Sequence, residues 1–201
     1  MKTMSVLDRI LLLATCLLAA YQIAVGIDEM DTLAVISYTV AFGVLLVACL
    51  LLIIYGFEVL ESPIVVIVAT FIPLSISLGL ISQHTPGYET TYLTLSTLGL
   101  FGILISRYLA PGNAATIILA FVHGVAGIII VLLPISLVFR GTFNSGFILV
   151  SLGGIIAGVG GLLLYSLRIG RPIIAAERIY SLVPSMLLLM TVSFVAGMGL
   201  A

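Results

Sequence analysis

Seven apolar runs, each about as long as a bilayer is thick, constrain this chain more than any other feature. Punctuated by charge, Pro, Gly and Asn, they cover roughly 5–26, 32–56, 63–82, 90–108, 114–139, 146–167 and 179–200. A helix that crosses a bilayer needs about 20 mostly apolar residues. Open strands cannot cross lipid with their backbone groups unpaired, and a barrel needs alternating polarity that these runs lack. The sequence therefore predicts an all-α, polytopic helical bundle in a membrane, built as a single transmembrane domain. Composition agrees: seven basic and eight acidic residues among 201 cannot cover a water-facing surface, and mean hydropathy is +1.40. A soluble enzyme and a disordered tail are excluded. A net charge of −1 leaves no basic surface for nucleic acid.

The expected connections are short, so function lies within the bilayer or at its two faces. The first run carries Lys2 and Arg9 ahead of an apolar stretch, as a signal peptide would, and Leu13-Ala14-Thr15-Cys16 faintly resembles a lipoprotein cleavage box. Thr15 is too large for that box and the run continues to Gly26, so a retained first span is expected. Orientation follows from the basic residues. With the N-terminus in the cytoplasm, Lys2, Arg9, Arg107, Arg168, Arg171 and Arg178 fall inside and only Arg140 outside. Seven spans then put the C-terminus outside, and the expected location is the cell membrane. Depth matching sets Cys16 near mid-membrane and Cys49 nearer the cytoplasmic end, which disfavours a disulfide.

An offset of 61 residues relates Pro73, Gly99, Arg107 and Pro111 to Pro134, Gly160, Arg168 and Pro172. The unit would be a helical hairpin whose second helix ends in Arg, three residues, then Pro. Chance matching in so simple a composition gives nearly as much.

His123 is the ionisable side chain expected in the middle of a span, about 14 Å from the inner end of the fifth helix. Intramembrane ionisable groups are functional candidates. Thr116, Ala120, Gly127 and Pro134 share its face, a small and polar stripe expected to look into the bundle. Thr70, Ser96 and Gly158 are expected at a similar depth. The simpler reading is a neutral imidazole bonded to a hydroxyl or carbonyl on a neighbouring helix; the functional one is a proton relay, a substrate contact or an axial ligand. A retinal Schiff base is excluded, because the one lysine is Lys2. Haem would need a second buried ligand, and His84 falls in an expected outer loop. No cofactor is expected. Asp28, Glu29, Asp31, His84 and Glu89 gather in the outer loops without a diagnostic metal spacing.

The sixth span reads Gly153-Gly154-Ile155-Ile156-Ala157-Gly158-Val159-Gly160-Gly161. A GxxxG at 154 and 158, with small residues at 153, 157 and 161, lets a second backbone approach closely. That backbone belongs either to the same chain or to a second subunit. On the inner face Arg107, Arg168, Arg171 and Arg178 either hold lipid phosphates or an acidic partner, or express only the positive-inside bias. No buried carboxylate pair supports acid–base catalysis or a standard ion-coupled pump. The expected function is a non-catalytic multi-pass subunit or scaffold of a larger membrane assembly. Its expected partners are the lipid bilayer and other membrane subunits or further copies of itself. The alternative is a small transporter or channel with its path near His123 and the Gly-rich sixth helix.

Overall fold

The structure is a computed structural model that describes residues 3–26, 31–109 and 114–200. Lys2, Asp28, Glu29, Pro111 and Asn113 lie outside the described residues. Among the described residues the chain is helical throughout, with no strand. Seven helical stretches are long and apolar enough to cross a membrane: Val6–Val25, Thr32–Glu61, Pro63–His84, Glu89–Leu109, Ala114–Phe139, Ser145–Arg168 and Ala176–Gly199.

Local signals set the helix starts. Before α1 (Val6–Val25) the Ser5 side chain accepts from the Asp8 N–H at 3.1 Å, and the Asp8 carboxylate accepts from the Ser5 N–H at 2.8 Å, a reciprocal capping box. Asp31 caps α2 (Thr32–Tyr55) by accepting from the Ala34 N–H at 2.6 Å. Both helices stop at a glycine with positive φ, Gly26 at 68° and Gly56 at 74°. A 3-10 turn over Gly56–Glu61 then prolongs the second span.

The third span is broken. It consists of α3 (Pro63–Ala69) and α4 (Phe71–His84), joined at Thr70. Pro73 has no N–H to offer the Ala69 carbonyl, and the next bond, Leu74 N–H to Thr70 O, stretches to 3.4 Å. By contrast α6 (Ala114–Phe139) continues as one helix through Pro134. The two hairpins related by the 61-residue offset are thus built differently.

The remaining helices are α5 (Glu89–Leu109), α7 (Ile148–Arg168) and α8 (Ala176–Gly199). Packing closes on itself: α1 lies on α2 and α8, α2 on α4, α4 on α6, α6 on α7, and α7 on α8. Helix α5 packs outside this circuit, on α4 and α6. Every residue from Leu74 to Leu80 is buried, which makes α4 the innermost helix. Only 17% of the most apolar stretch of α5 and of α6 is buried, against 44% for the third span, so α5 and α6 form an outward face.

The bundle has two chemically distinct ends. One carries Arg9, Arg107, Arg168, Arg171 and Arg178, and there the Phe57 and Tyr180 rings meet at 5.4 Å. At the opposite end the Ser82 hydroxyl donates to Asp31 at 2.6 Å, and the Asn144 amide donates to the Leu200 carbonyl.

Two sequence expectations need correction. Cys16 and Cys49 are not at different depths: both are buried free thiols, and Cys16 donates to the carbonyl of Leu46, one turn before Cys49 on α2, at 3.7 Å. The 3-10 turn prolongs the second span to Glu61 and so carries Cys49 deeper than a helix ending near 56 would. His84 is not in a loop but closes α4, its ring 4.8 Å from that of Phe143 and 5.3 Å from that of Phe147.

Candidate functional site

The break in the third span gathers the buried hydroxyls. Thr70 is fully buried and donates to the Val66 carbonyl at 2.9 Å. One turn beyond Pro73, Ser77 lies 2.7 Å from the Pro73 carbonyl and 3.0 Å from that of Leu74. The Tyr92 hydroxyl on α5 donates to Ser77 at 2.8 Å, tying α5 to α4. Ser96 follows Tyr92 by one turn, and its buried hydroxyl has no partner. Ser37 on α2 is likewise buried without one. Towards the far end Tyr38 donates to Gln83 at 3.4 Å, and Ser82 to Asp31. This seam of hydroxyls and carbonyls runs along α4 without a carboxylate until Asp31. Neutral oxygens at a helix break can solvate a small cation or a water, which is how discontinuous spans are used in transporters.

The sequence named Thr70 and Ser96 as residues at the depth of His123, not as members of a helix break. It missed Ser77 and Tyr92, although a serine four residues after a mid-span proline is a signal, because it can bond the carbonyls that proline disturbs.

His123 lies elsewhere. It is half-buried, and its Nδ1 is 3.1 Å from the carbonyl of Leu119 on its own helix, not from a group on a neighbour. The buried face of α6 is Val122, Ala126, Ile130, Pro134 and Leu137. Of the expected stripe Pro134 belongs to that face, whereas Thr116 and Gly127 are half-buried and Ala120 is exposed. Thr70, Ser96 and Thr116 make no hydrogen bond to His123 among the described residues.

The glycine ladder of α7 divides between two environments. A Cβ on Gly153 would stand 2.7 Å from the Phe194 ring of α8, and one on Gly154 2.7 Å from Ile130 of α6. Ala157 is half-buried, whereas Gly158 and Gly161 are exposed and meet nothing within 4 Å. The second half of the GxxxG therefore takes no part in packing within the chain. Its place is taken by Gly197 of α8, where a Cβ would be 2.7 Å from the Val150 backbone nitrogen. Ser151 completes the α6–α7 contact by donating to the Val131 carbonyl at 2.7 Å.

Among the arginines, Arg171 and Arg178 are exposed. Arg107 is half-buried, with Nε and Nη2 shielded and unpartnered. No group of three or more metal-ligating side chains occurs among the described residues. A cleft of about 130 Å³ at the far end, lined by Gln22, Gly26, Tyr38, Thr39 and Phe42 among others, is well below the several hundred Å³ of an ordinary small-molecule site. No protein-family model, curated protein or solved structure matches the chain.

Proposed function

We propose that the chain crosses the cell membrane seven times, arginine end in the cytoplasm, and serves as a non-catalytic subunit of a larger membrane assembly. Membrane crossing is supported by the bundle's outer surface, where Leu109 is 79%, Phe139 84% and Ile54 68% exposed. One observation carries the subunit reading. Gly158 and Gly161 on α7, with Gly124 and Gly127 on the adjoining α6, have open space where side chains would stand. Small residues turned outward let a helix of another protein approach closely. The test is the mass of the complex extracted from native membranes in mild detergent. A species larger than the chain and its detergent is expected, and Gly158→Leu should dissociate it. A monodisperse monomer, unchanged by Gly158→Leu, would refute the reading.

The broken third span favours a second reading, a small transporter or channel. This path would follow Thr70, Ser77, Tyr92 and Ser96 along α4 rather than His123. Proteoliposomes containing the protein alone would then pass sodium ions or protons, and Ser77→Ala would reduce that flux.

A further inference from the structure

Where α1 ends and α2 begins, a cleft of about 130 Å³ is lined by Gln22 and Tyr38 together with Val25, Val35 and Phe42. Gln22 is 7% and Tyr38 5% exposed, so both polar side chains are withdrawn from the surface. The Gln22 amide is nevertheless poorly satisfied. Its one hydrogen bond among the described residues is long, Nε2 donating to the Gly26 carbonyl at 3.4 Å. A second N–H and the amide oxygen are left unspent. The Tyr38 hydroxyl is spent on Gln83. The cleft is open at its side, where Val25 is 61% and Val35 46% exposed. A ligand therefore meets a polar floor behind an apolar rim, with no charged side chain in the lining.

Depth selects the ligand. Gln22 stands three residues before the end of α1 and Tyr38 six residues after the start of α2. That is about 5–9 Å inside the helix ends. The polar layer of a bilayer is about 5–8 Å thick on each side of its hydrocarbon, so the cleft falls where headgroups give way to acyl chains. The geometry points to a site for the ester linkage of a glycerolipid. Its carbonyl accepts from the Gln22 amide, and its first methylenes lie against Val25, Val35 and Phe42. About four groups the size of a water, each ~30 Å³, fill the space. An ester and the carbons beside it fit; the headgroup and the rest of the chains stay in the bilayer. The uncharged lining leaves headgroup charge out of the recognition. Such a site requires the proposed membrane crossing, but neither the subunit nor the transporter role.

The test uses the full chain in nanodiscs of equal parts diester phosphatidylcholine and its diether analogue, with the same headgroup and chains. Lipid retained on transfer to neutral detergent is measured by native mass spectrometry. Wild type should retain the diester about fivefold over the diether, the worth of one ordinary hydrogen bond, because an ether has no carbonyl to accept from Gln22. Gln22→Leu should bring that ratio to one. Thr90→Val, at an exposed hydroxyl of α5, should leave it unchanged. Val35→Trp fills the cleft from its exposed rim with a side chain at home in the interface. It should also bring the ratio to one, with Tm unchanged, and it keeps the site testable should Gln22→Leu fail to fold. The same ratio for wild type and Gln22→Leu, as for a cleft that holds only water, overturns the site. Undiminished preference in Val35→Trp does so too. Membrane crossing is read separately, from incorporation into the discs by size-exclusion chromatography. A chain that stays outside refutes crossing and site together; one that incorporates without an ester preference refutes the site alone.

Discussion

The ring of Tyr38 on α2 lies against the backbone of Gly79 on α4, so closely that a Cβ at position 79 would stand 2.7 Å from Cε1 and Cζ. The contact seats α2 on the innermost helix and holds the Tyr38 hydroxyl at Gln83. A buried aromatic ring opposite a glycine is a packing pair whose two halves must be read together.

Gly79→Ala is therefore expected to destabilise the bundle by about 1–3 kcal/mol, the usual cost of overpacking a well-filled core. Unfolding in mixed detergent, followed by circular dichroism, measures it. Adding Tyr38→Ala to Gly79→Ala should recover part of the loss relative to the sum of the single changes. Strict additivity would show that the ring and the glycine do not meet.

The α7 glycines should separate by environment. Gly153→Leu and Gly154→Leu should each lower the Tm markedly, since the new side chains would collide with Phe194 and Ile130. Gly158→Leu should leave the Tm of the isolated chain unchanged. Equal destabilisation by all three would mean that α7 is rotated from the orientation described.

For His123, the bond to its own helix predicts a small effect. His123→Asn should cost about 0.6 kcal/mol or less, the average for hydrogen bonds in membrane bundles. Thermal unfolding checks this, and a loss several times larger would reveal a partner on another helix.

The arginine distribution predicts the labelling pattern of intact cells. Thr142→Cys, exposed at the opposite end, should react with an impermeant maleimide from outside. Ile173→Cys, 60% exposed at the arginine end, should react only after permeabilisation. The reverse pattern would invert the orientation. The native thiols do not interfere, as both are buried.

Much of the fold was legible because apolar length is a one-dimensional signal. The fifth run, expected at 114–139, is the helix Ala114–Phe139, and the first and last lie within three residues of expectation. The third run was legible as a span but not as two helices. Pro73 marks a disturbance, yet which carbonyls rearrange around it depends on Thr70 and Ser77 finding acceptors in three dimensions. The glycine ladder shows the same limit. Spacing tells that Gly154 and Gly158 lie near one another on α7, but not that the contact ends between them. Arg107 and Arg168 were legible as charges closing their helices at one end of the bundle, whereas the burial of two Arg107 nitrogens depends on packing that spacing does not show.

The adjacency of α1 and α8 bears on how the bundle comes into being. Helix α1 meets one of its two packing neighbours only after α2 to α7 have been made, so the circuit closes on a contact between helices far apart in sequence. Until then α1 leaves uncovered the face bearing Thr15 and Gln22, both buried in the finished protein. Non-local closure of this kind is slow and leaves a vulnerable intermediate. Cellular quality control would meet this protein as an open arc with one unsealed polar edge, and the arrival of α8 is the event that removes it from view.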